Sequence, residues 1–432
     1  MRVLGIGEWN DLGDLYLHLR RDGHAVRVYI ADPTAHDILD GLIERVDDWR
    51  EHLDWIREAR SEGVIVFESV HHDRLQDDLR AAGYHVIGGC AYGDSLETDR
   101  AFGQQVMRDV GLEVLPSWSF EDAAAASAFV AAHPARYVMK YDARADVVCS
   151  THVGRATDGA DVAALLHMCT VRNTGGRVLL TPHATGVEVG VGAYFNGHRF
   201  LTPVCLDWEH KRFFPGDMGE LTGEMGTLVT FCNAEALFER TLAKFAPQLH
   251  AAGYIGYINL NLIVDRHHIW PLEFTCRFGY PGFAILGALQ TDGWADLFRR
   301  MLDPAARSFA AAEEYALGVV LTVPPFPYPD GYERLSKGLP IVFSDPHPDD
   351  AEHFHLAEVA LRAGGLVCAG QIGYPLVVTG TGITAESAKR AAYARVERVI
   401  IPNLRYRHDI GDSFINRDRQ LLTDWGYFGA RS

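Results

Sequence analysis

Two neighbouring segments carry polar side chains at a spacing that could hold a metal ion. Glu273, Thr275 and Arg277 occupy alternate positions of one predicted strand, and Asn259 and Asn261 do the same on the strand before it. Alternate residues of a strand face one side of a sheet, so a hairpin of these strands would gather a carboxylate, two amides and a guanidinium. Mg²⁺ accepts such oxygen ligands while it bridges nucleotide phosphates. A polar sheet face with one salt bridge is the simpler alternative.

A glycine-dense stretch lies upstream and reads GDMGELTGEMG from Gly216 to Gly226. Four glycines in eleven residues allow backbone amides to approach an anionic ligand closely. The run His210-Lys211-Arg212 ahead of it supplies neighbouring cations. A surface loop beside a solvated run of charges is the alternative.

The elements that must position these residues fall into three stretches. Over residues 2–87, short apolar strands alternate with amphipathic helices, which predicts a parallel sheet with helical crossovers. A long helix should begin near Glu97, and strands dominate the centre of the chain, with Asp265–His268 as a hairpin turn. After about residue 310, short strands and one long helix at 385–398 predict a small α+β domain.

Composition excludes several classes of function. The 432 residues carry a net charge of −17, with 57 acidic side chains against 40 Lys and Arg. Nucleic acids and anionic membranes attract positively charged proteins, so we expect neither partner. No apolar run approaches the roughly 20 residues of a membrane span, and the first residues do not form a signal peptide, which predicts a cytoplasmic protein. The seven cysteines form no CxxC pair and predict neither disulfides nor a zinc site, and Cys276 should face the core.

Four blocks of the sequence resemble the glycinamide ribonucleotide synthetase family of ATP-grasp enzymes. The run DWEHKRFFPGDMGELTGEMGT is similar to the family signature, and seven of the eleven residues in its glycine stretch match in register. The segments GYIGYINLNLIV and PLEFTCRFGYPG resemble the paired strands of the family, and YRHDIG near the C-terminus resembles its closing motif. The four blocks occur in the family's order over essentially the whole chain.

The resemblance implies a multidomain α/β and α+β protein with the ATP-grasp fold, in which two lobes clamp ATP. We expect an N-terminal parallel-sheet (pre-ATP-grasp) domain at 1–98 and an ATP-grasp core at 99–310. A lid subdomain should span about 118–186, and a small α+β domain should span 311–432. The implied cofactors are ATP and Mg²⁺ or Mn²⁺. The implied partners are a small-molecule carboxylate and an amine, which the enzyme would join through an acyl phosphate. The protein should be a monomer or a homodimer.

The resemblance also implies roles for individual residues. Lys140 and Arg277 would act in catalysis, with Lys140 on the triphosphate that Glu273 approaches from the opposite lobe. ATP would be held by Arg100, Lys140, Leu180, Thr181, His183 and Glu188. The metal would be held by Glu273, Asn259 and Thr275. The substrates would contact Gly7, Trp9, Lys211, Arg212, Asp217, Thr222, Gly223, Met225, Gly226, Arg277 and Tyr280.

The sequence departs from the family pattern where the substrates should bind. Gly7–Asp14 carries three acids and no basic residue in place of the family's first glycine-rich run, which disfavours a phosphate there. The lid loop is altered at Ala143–Val147, and Thr181 replaces an expected hinge acid. Thr275 replaces a metal-binding Asn, and Tyr280–Gly282 replaces two carboxylates of the family motif.

Three hypotheses follow from these matches and departures. The first is an ATP-dependent carboxylate–amine ligase whose substrates differ from those of the purine enzyme. The second is a genuine phosphoribosylamine–glycine ligase of purine biosynthesis. The third is a non-catalytic, nucleotide-binding regulatory protein that retains the fold. ADP release with different substrate pairs distinguishes them.

Overall fold

The structure is a computed structural model that describes residues 1–142, 151–172, 176–345 and 347–429. The altered lid loop at Ala143–Val147 lies outside the described residues. No helix in the described ranges is long and apolar enough to cross a membrane.

The chain forms two compact units. The larger contains residues 1–106, 188–262 and the described residues from 273 onward, and the smaller contains the described residues of 107–187 and 263–272. The domain boundaries expected at 98 and 310 stay predictions.

The N-terminal part of the larger unit is the parallel sheet that the sequence predicts. Its strand order is β3-β2-β1-β4-β5, and every pair is parallel. Strand β4, which lies between β1 and β5, is fully buried, as expected for a strand covered on both faces. The elements are β1 (Arg2–Gly7), α1 (Gly13–Arg21), β2 (Ala25–Ile30), β3 (Glu44–Val46), α2 (Leu53–Glu58), β4 (Gly63–Phe67), α3 (Leu75–Ala81), β5 (His85–Ile87), α4 (Ala91–Thr98) and α5 (Arg100–Asp109).

The helix expected to begin near Glu97 is α5, and it begins at Arg100 because the backbone of Asp99 is extended after α4. Its carboxylate accepts a 3.0 Å hydrogen bond from the Phe102 backbone N–H, which satisfies an otherwise unpaired amide at the start of α5. The observed helix thus begins three residues after the predicted position, since Asp99 stabilises the helix start.

The smaller unit is a four-stranded antiparallel sheet with two helices. The strand order is β6-β9-β7-β8, and apolar residues of both helices pack on the sheet. The elements are β6 (Trp118–Phe120), α6 (Ala123–Ala132), β7 (Tyr137–Asp142), β8 (Thr151–Val153), α7 (Ala160–Arg172) and β9 (Arg177–Pro182).

The centre of the chain supplies the strands that carry the motifs. These are β10 (Val187–Asn196), β11 (Cys205–Glu209), β12 (Arg212–Phe214), β13 (Met218–Leu221), β14 (Gly226–Thr230), β15 (Ile255–Val264) and β16 (Ile269–Thr275). The helices are α8 (Glu235–Arg240), α9 (Ala246–Ala251), α10 (Gly282–Gly287) and α11 (Gly293–Leu302).

The C-terminal part adds seven strands and three helices. They are β17 (Tyr315–Leu321), α12 (Tyr332–Leu335), β18 (Pro340–Phe343), β19 (Phe354–Leu356), β20 (Val359–Arg362), β21 (Gly365–Cys368), β22 (Leu376–Gly382), α13 (Ala385–Val396), β23 (Val399–Ile400) and α14 (Arg419–Asp424).

One eight-stranded sheet joins the centre of the chain to its C-terminal part. Its order is β16-β15-β10-β11-β14-β17-β22-β19, so the sheet continues across residue 310. A separate four-stranded sheet has the order β20-β21-β18-β23, and β12 and β13 form a hairpin. The observed α/β and α+β architecture confirms the predicted fold class.

Candidate active site

The predicted hairpin of polar strands is present. Strands β15 and β16 are neighbours in the large sheet, and the Asp265 backbone N–H donates to the His268 carbonyl over 3.0 Å at the turn. Asn259, Glu273 and Thr275 line one cavity of about 340 Å³ in the larger unit. We call this the acidic cavity, and its further walls include Asp207, Glu209, Lys211, Thr222, Gly223, Glu224, Arg277 and Tyr280.

Lys211 lies among the carboxylates of the acidic cavity. Its Nζ is 3.0 Å from Glu209 Oε2 and 3.7 Å from both Glu188 Oε1 and Glu273 Oε1. Burial alone would lower the pKa of Lys211, but the three carboxylates outweigh burial and raise that pKa. The ammonium group therefore stays charged and marks a point where anionic groups converge.

Two buried acids lie in the same cavity. Asp207 Oδ2 accepts a 2.6 Å hydrogen bond from Asn259 Nδ2, and burial together with Glu209 raises the pKa of Asp207 to about 7. Burial, reinforced by Glu209 and Asp207, raises the pKa of Glu224 well above its ordinary value. Gly190 faces Asp207 across the β10–β11 pair, and a Cβ there would lie 2.1 Å from Asp207 Oδ1. This glycine leaves the space that the Asp207 carboxyl group needs.

Asp207, Glu209 and Glu224 line the acidic cavity although they were not predicted as site residues. The available signal was the alternation of Asp207, Glu209 and Lys211, which places acids on one face of β11 ahead of the lysine. No spacing in the sequence indicates Glu224, because folding of the hairpin that precedes it brings it to the cavity.

The acidic cavity suits a divalent cation that prefers oxygen ligands. Asp207 Oδ1 and Glu224 Oε1 are buried and have no hydrogen-bond partner within the part of the chain that the structure describes. Together with the side-chain oxygens of Asn259, Glu273 and Thr275 on the cavity walls, they form a set of hard oxygen ligands of the kind that Mg²⁺ and Mn²⁺ take. The roles of Glu273, Asn259 and Thr275 as metal ligands stay predictions.

Arg277 is held at the border of the acidic cavity by a residue that the sequence analysis did not identify. Its Nε donates to Glu97 Oε1 over 3.1 Å, and Glu97 Oε2 accepts the Cys276 backbone N–H over 2.6 Å. The Cys276 side chain is fully buried, as expected, and burial raises the pKa of its thiol well above the ordinary value. Glu97 thus orients Arg277 through two bonds, one to its side chain and one to the adjoining backbone.

A second cavity, of about 570 Å³, shares Arg277 and Tyr280 with the acidic cavity. Its other walls come from Glu8–Asp11 after β1, residues 69–71 after β4, Glu97, and parts of 357–374, and we call it the N-terminal cavity. It lies at the carboxyl ends of β1 and β4, where the strand order of the parallel sheet reverses, which is a common ligand position in such sheets.

Of the predicted substrate residues, Trp9 and Tyr280 line the N-terminal cavity, whereas Gly7 does not. Trp9 lines the N-terminal cavity and is 43% exposed, and its indole Nε1 donates to Asp32 Oδ2 over 3.0 Å. Gly7 is buried at the end of β1, where a Cβ would lie 2.1 Å from Glu68 Oε2. Tyr280 lines both cavities, and its buried hydroxyl group has no hydrogen-bond partner among the described residues.

The glycine-dense stretch is a β-hairpin, with β12 and β13 as its strands. Thr222 and Gly223 line the acidic cavity, and both the N–H and the Oγ1 of Thr222 donate to the Lys211 carbonyl over 2.8 Å. Arg212 instead donates to the Gly219 carbonyl, and Asp217 accepts from Arg407 over 3.0 Å. Arg212 is thus held within the hairpin, and Asp217 is held by the C-terminal part of the chain.

Met225 and Gly226 do not line either cavity. Met225 is fully buried in the core, and Gly226 begins β14, where a Cβ would lie 2.4 Å from the Gly318 carbonyl. His210, the first residue of the basic run, is also buried, and its Nε2 accepts the Gly411 backbone N–H over 3.2 Å. Burial and the nearby Arg407 lower the pKa of His210 to about 4, so this histidine is neutral at physiological pH.

Arg100 begins α5 and acts electrostatically on Glu273. Burial lowers the pKa of Arg100, and Glu273 opposes that change. Arg100 Nε is buried without a hydrogen-bond partner in the described ranges. The residue is therefore available to an anionic ligand near Glu273.

The remaining predicted ATP residues lie in the smaller unit. In the β7–β9 pair, Lys140 faces Leu179 and Val138 faces Thr181, which places Lys140 and Thr181 on the same side of that sheet. Leu180 lies on the opposite side, fully buried in the core of the unit. The His183 backbone N–H donates to the Arg136 carbonyl over 2.9 Å, and burial and Arg136 lower the pKa of the His183 imidazole.

Comparison with known proteins identifies a related family. Residues 98–283 match the family described as "Phosphoribosylglycinamide synthetase, ATP-grasp (A) domain". A phosphoribosylamine–glycine ligase of Neisseria meningitidis serogroup B is 28% identical over 436 residues, which cover 96% of this chain and 100% of the relative.

Solved structures share the fold. A phosphoribosylamine–glycine ligase from Thermotoga maritima superposes with a TM-score of 0.70 at 21% identity, covering 95% of this chain and 100% of the other. A biotin carboxylase from Campylobacter jejuni superposes with a TM-score of 0.58 at 13% identity, covering 98% of each chain.

Proposed function

We propose that the chain, which is similar to phosphoribosylglycinamide synthetases, is an ATP-grasp ligase that joins a small-molecule carboxylate to an amine, with substrates other than those of the purine enzyme. The observation that carries the proposal is the arrangement of Lys211 and Arg277 in one cavity with Asp207, Glu209 and Glu273. Fixed cations bind phosphate groups, and clustered oxygen ligands hold a divalent cation, so this arrangement suits a metal–nucleotide complex.

The residues of the larger unit act on the reacting phosphate groups. Glu273, Asn259 and Thr275 would hold Mg²⁺ or Mn²⁺, which supplies neutralisation of phosphate charge when bound. Lys211 and Arg100 contribute fixed positive charge near Glu273. Arg277, oriented by Glu97, stabilises the acyl phosphate or positions the acceptor, and Glu188 holds the ribose.

We assign the remaining ATP contacts to the smaller unit. Lys140 binds the ATP phosphates, and Thr181 and His183 contact the adenine. Leu180 contributes through its backbone, because its side chain is buried in the core. These residues lie on strands or next to a strand end, so their positions are fixed before ATP binds. Groups that are fixed in advance stabilise the charge that develops in the transition state.

The reaction proceeds in two displacements. A carboxylate oxygen of the substrate attacks the γ-phosphorus, and the bond to ADP breaks, giving an acyl phosphate. The amine nitrogen then attacks the acyl carbon, the carbon–oxygen bond to phosphate breaks, and the nitrogen releases a proton. Side-chain acid–base chemistry contributes little here, since positioning and charge neutralisation supply most of the rate.

The second candidate is a genuine phosphoribosylamine–glycine ligase. It is favoured by the 28% identity to such a ligase over nearly the entire length of both chains. The acids of the N-terminal cavity and the presence of Tyr280 favour the first proposal, because they suit a ligand without phosphate.

A coupled assay of ADP release tests the proposals directly. Amino acids and other carboxylates are paired with a panel of amines, including glycine with phosphoribosylamine, at saturating ATP and Mg²⁺. We expect another pair to exceed glycine with phosphoribosylamine at least tenfold in kcat/KM. Equal or better turnover of the purine pair contradicts the proposal, and ATP binding without ADP release from any pair supports a regulatory protein.

A further inference from the structure

We infer that the N-terminal cavity binds the amine substrate as an unphosphorylated organic cation, with its ammonium group at Asp11 and Glu8 and its carbon body against Trp9 and Tyr280. The inference rests on the proposed ligase function, and it names the class of the amine.

The charges that line the N-terminal cavity are mostly negative. Its walls include the carboxylates of Glu8, Asp11, Glu97 and Glu358, and Arg277 is the one Lys or Arg among its described lining residues. The exposed His71 is the other group there that can carry positive charge.

Two of the four carboxylates already accept hydrogen bonds from other groups of the protein. Glu358 accepts hydrogen bonds from the backbone N–H groups of residues 371–374 at 2.7 to 3.3 Å. Glu97 accepts Arg277 Nε and the Cys276 N–H. Asp11 and Glu8 form neither a hydrogen bond nor an ion pair through their side chains within the described part of the chain, so they remain for a ligand.

Arg277 compensates only in part for the burial of the half-buried Asp11 carboxylate. Burial raises the pKa of Asp11, Arg277 opposes the change, and Glu8 reinforces it. A bound ammonium group would stabilise the charged form of both acids, whereas a phosphate group would add to the repulsion.

Asn10 provides independent evidence for a polar ligand. It lines the N-terminal cavity and is only 3% exposed, yet neither its Oδ1 nor its Nδ2 has a hydrogen-bond partner in the described ranges. Buried amide groups are nearly always paired, so an unpaired amide on a cavity wall indicates a missing partner. A primary amine supplies the donor for Oδ1, and a polar atom beside it supplies the acceptor for Nδ2.

The aromatic residues suit a cation with an apolar body. The Trp9 indole is anchored by Asp32 and remains 43% exposed at the cavity. Tyr280 packs against Tyr374 with ring centroids 5.0 Å apart, and both rings line the cavity. Aromatic faces attract organic cations, and they do so most strongly when water is excluded.

The backbone amides at the start of α1 are not open to a phosphate. The Glu68 carboxyl group lies against the amides of Asp11 and Leu12, which act on its pKa, and Gly7 leaves room for that carboxyl group. A group of the protein thus covers the position from which a phosphate would approach the helix start.

Calorimetric titration of the full-length protein tests the inference without turnover. The probes are phenethylamine, the uncharged phenethyl alcohol, and phosphoethanolamine. We expect phenethylamine to bind at least tenfold more tightly than either other probe. We expect Asp11→Asn to weaken its binding at least tenfold and Glu8→Gln to weaken it less, because Glu8 is more exposed. Asp47→Asn, which removes the same charge from an exposed surface, should leave binding unchanged.

The outcomes separate this inference from the ligase proposal. Absence of phenethylamine binding, equal or tighter binding of phosphoethanolamine, or unchanged binding in both folded variants overturns the inference. If the amine binds as expected but no substrate pair releases ADP, the ligase proposal fails and the cation site stands. Efficient turnover of phosphoribosylamine with glycine overturns both the cation site and the proposal of other substrates, and supports the second candidate, a phosphoribosylamine–glycine ligase.

Discussion

At the scale of single residues, Glu273 connects most of the groups assigned to phosphate chemistry. Its Oε1 lies 3.7 Å from Lys211 Nζ, it acts on Arg100, and it lines the acidic cavity with Asn259. A carboxylate placed among cations and amides is suited to hold a divalent metal and to balance the charge of Lys211 when ATP is absent.

We therefore expect Glu273→Ala to lower ADP release at least about 100-fold, because the proposed metal ligand is lost. Its side chain is 45% exposed, so the free energy of unfolding should change by no more than about 1 kcal/mol. Glu58→Ala, at a 70% exposed position, serves as the control. Wild-type turnover in a folded Glu273→Ala protein would remove the metal assignment.

His210 gives a residue-scale prediction about pH. The free imidazole has a pKa of 6.5, and burial lowers the folded value to about 4. The unfolded chain thus takes up a proton first as pH falls, so the contribution of His210 is fully present above pH 6.5 and is lost as pH falls through 4. The loss amounts to about 3 kcal/mol.

Urea unfolding at several pH values between 4 and 7 measures this contribution. In His210→Gln, the free energy of unfolding should depend less on pH than in the wild type, by up to about 1.4 kcal/mol per pH unit. The exposed His167→Gln is the control and should retain the wild-type dependence. Parallel curves for His210→Gln and wild type would show that His210 can charge in the folded protein.

At the scale of elements, the approach of β10 to β11 creates room for the buried acids. Gly190 lies opposite Asp207, and Gly192 leaves space for the Tyr257 hydroxyl group, which a Cβ would meet at 2.0 Å. Two glycines two residues apart face the same side of β10. A strand with side chains at both positions would push the polar groups of β11 and β15 out of place.

Gly190→Ala should therefore displace Asp207 and disturb its bond to Asn259, because its Cβ would lie 2.1 Å from Asp207 Oδ1. We expect a loss of about 1–3 kcal/mol in stability and at least a tenfold loss in kcat. Gly365→Ala is the matched control, since that strand glycine has no atom nearer than 3.9 Å. Urea unfolding and ADP release measure both effects, and wild-type values for both would refute the packing argument.

The glycine-dense stretch differs from its sequence-based expectation because of long-range contacts. Gly216–Gly226 is predicted as an anion-binding loop, and it forms a hairpin whose turn is tied to the C-terminal part by Arg407 and Asp409. Those contacts join residues almost 200 positions apart. Composition cannot indicate them, although both partners belong to the YRHDIG motif.

At the scale of the whole molecule, ATP binding should stabilise the protein by an amount that rises with the logarithm of the ATP affinity. A ligand at 100 times its Kd adds about 2.7 kcal/mol to the free energy of unfolding. If Lys140 contacts the ATP phosphates, its replacement should reduce this gain without altering the fold of the free protein.

Lys140→Met should consequently lose most of the ATP-dependent rise in Tm that the wild type shows with Mg²⁺. We expect ATP affinity to fall about 10- to 100-fold, because one charge-assisted contact is lost. The exposed Lys244→Met is the control and should keep the full rise. A wild-type response in Lys140→Met would exclude the assigned role of that lysine.

Sequence alone determined the fold class, the polar hairpin and several walls of the acidic cavity. Strand alternation sets which side chains share a face, so the spacing of Asn259, Glu273 and Thr275 is enough to group them. The family motifs added the order of the elements, because those motifs sit at fixed places in the fold.

Tertiary structure decided which charged groups meet. Asp207 and Glu97 reach their hydrogen-bond partners on elements distant in the chain. Folding also brings Glu224 to the acidic cavity and buries Asn10 without a hydrogen-bond partner among the described residues. Local spacing carries no information about such contacts, since burial and long-range pairing set both the distance between charges and their pKa. The sequence shows that the first loop is acidic, but only the fold places that loop in a cavity with Tyr280 and Tyr374.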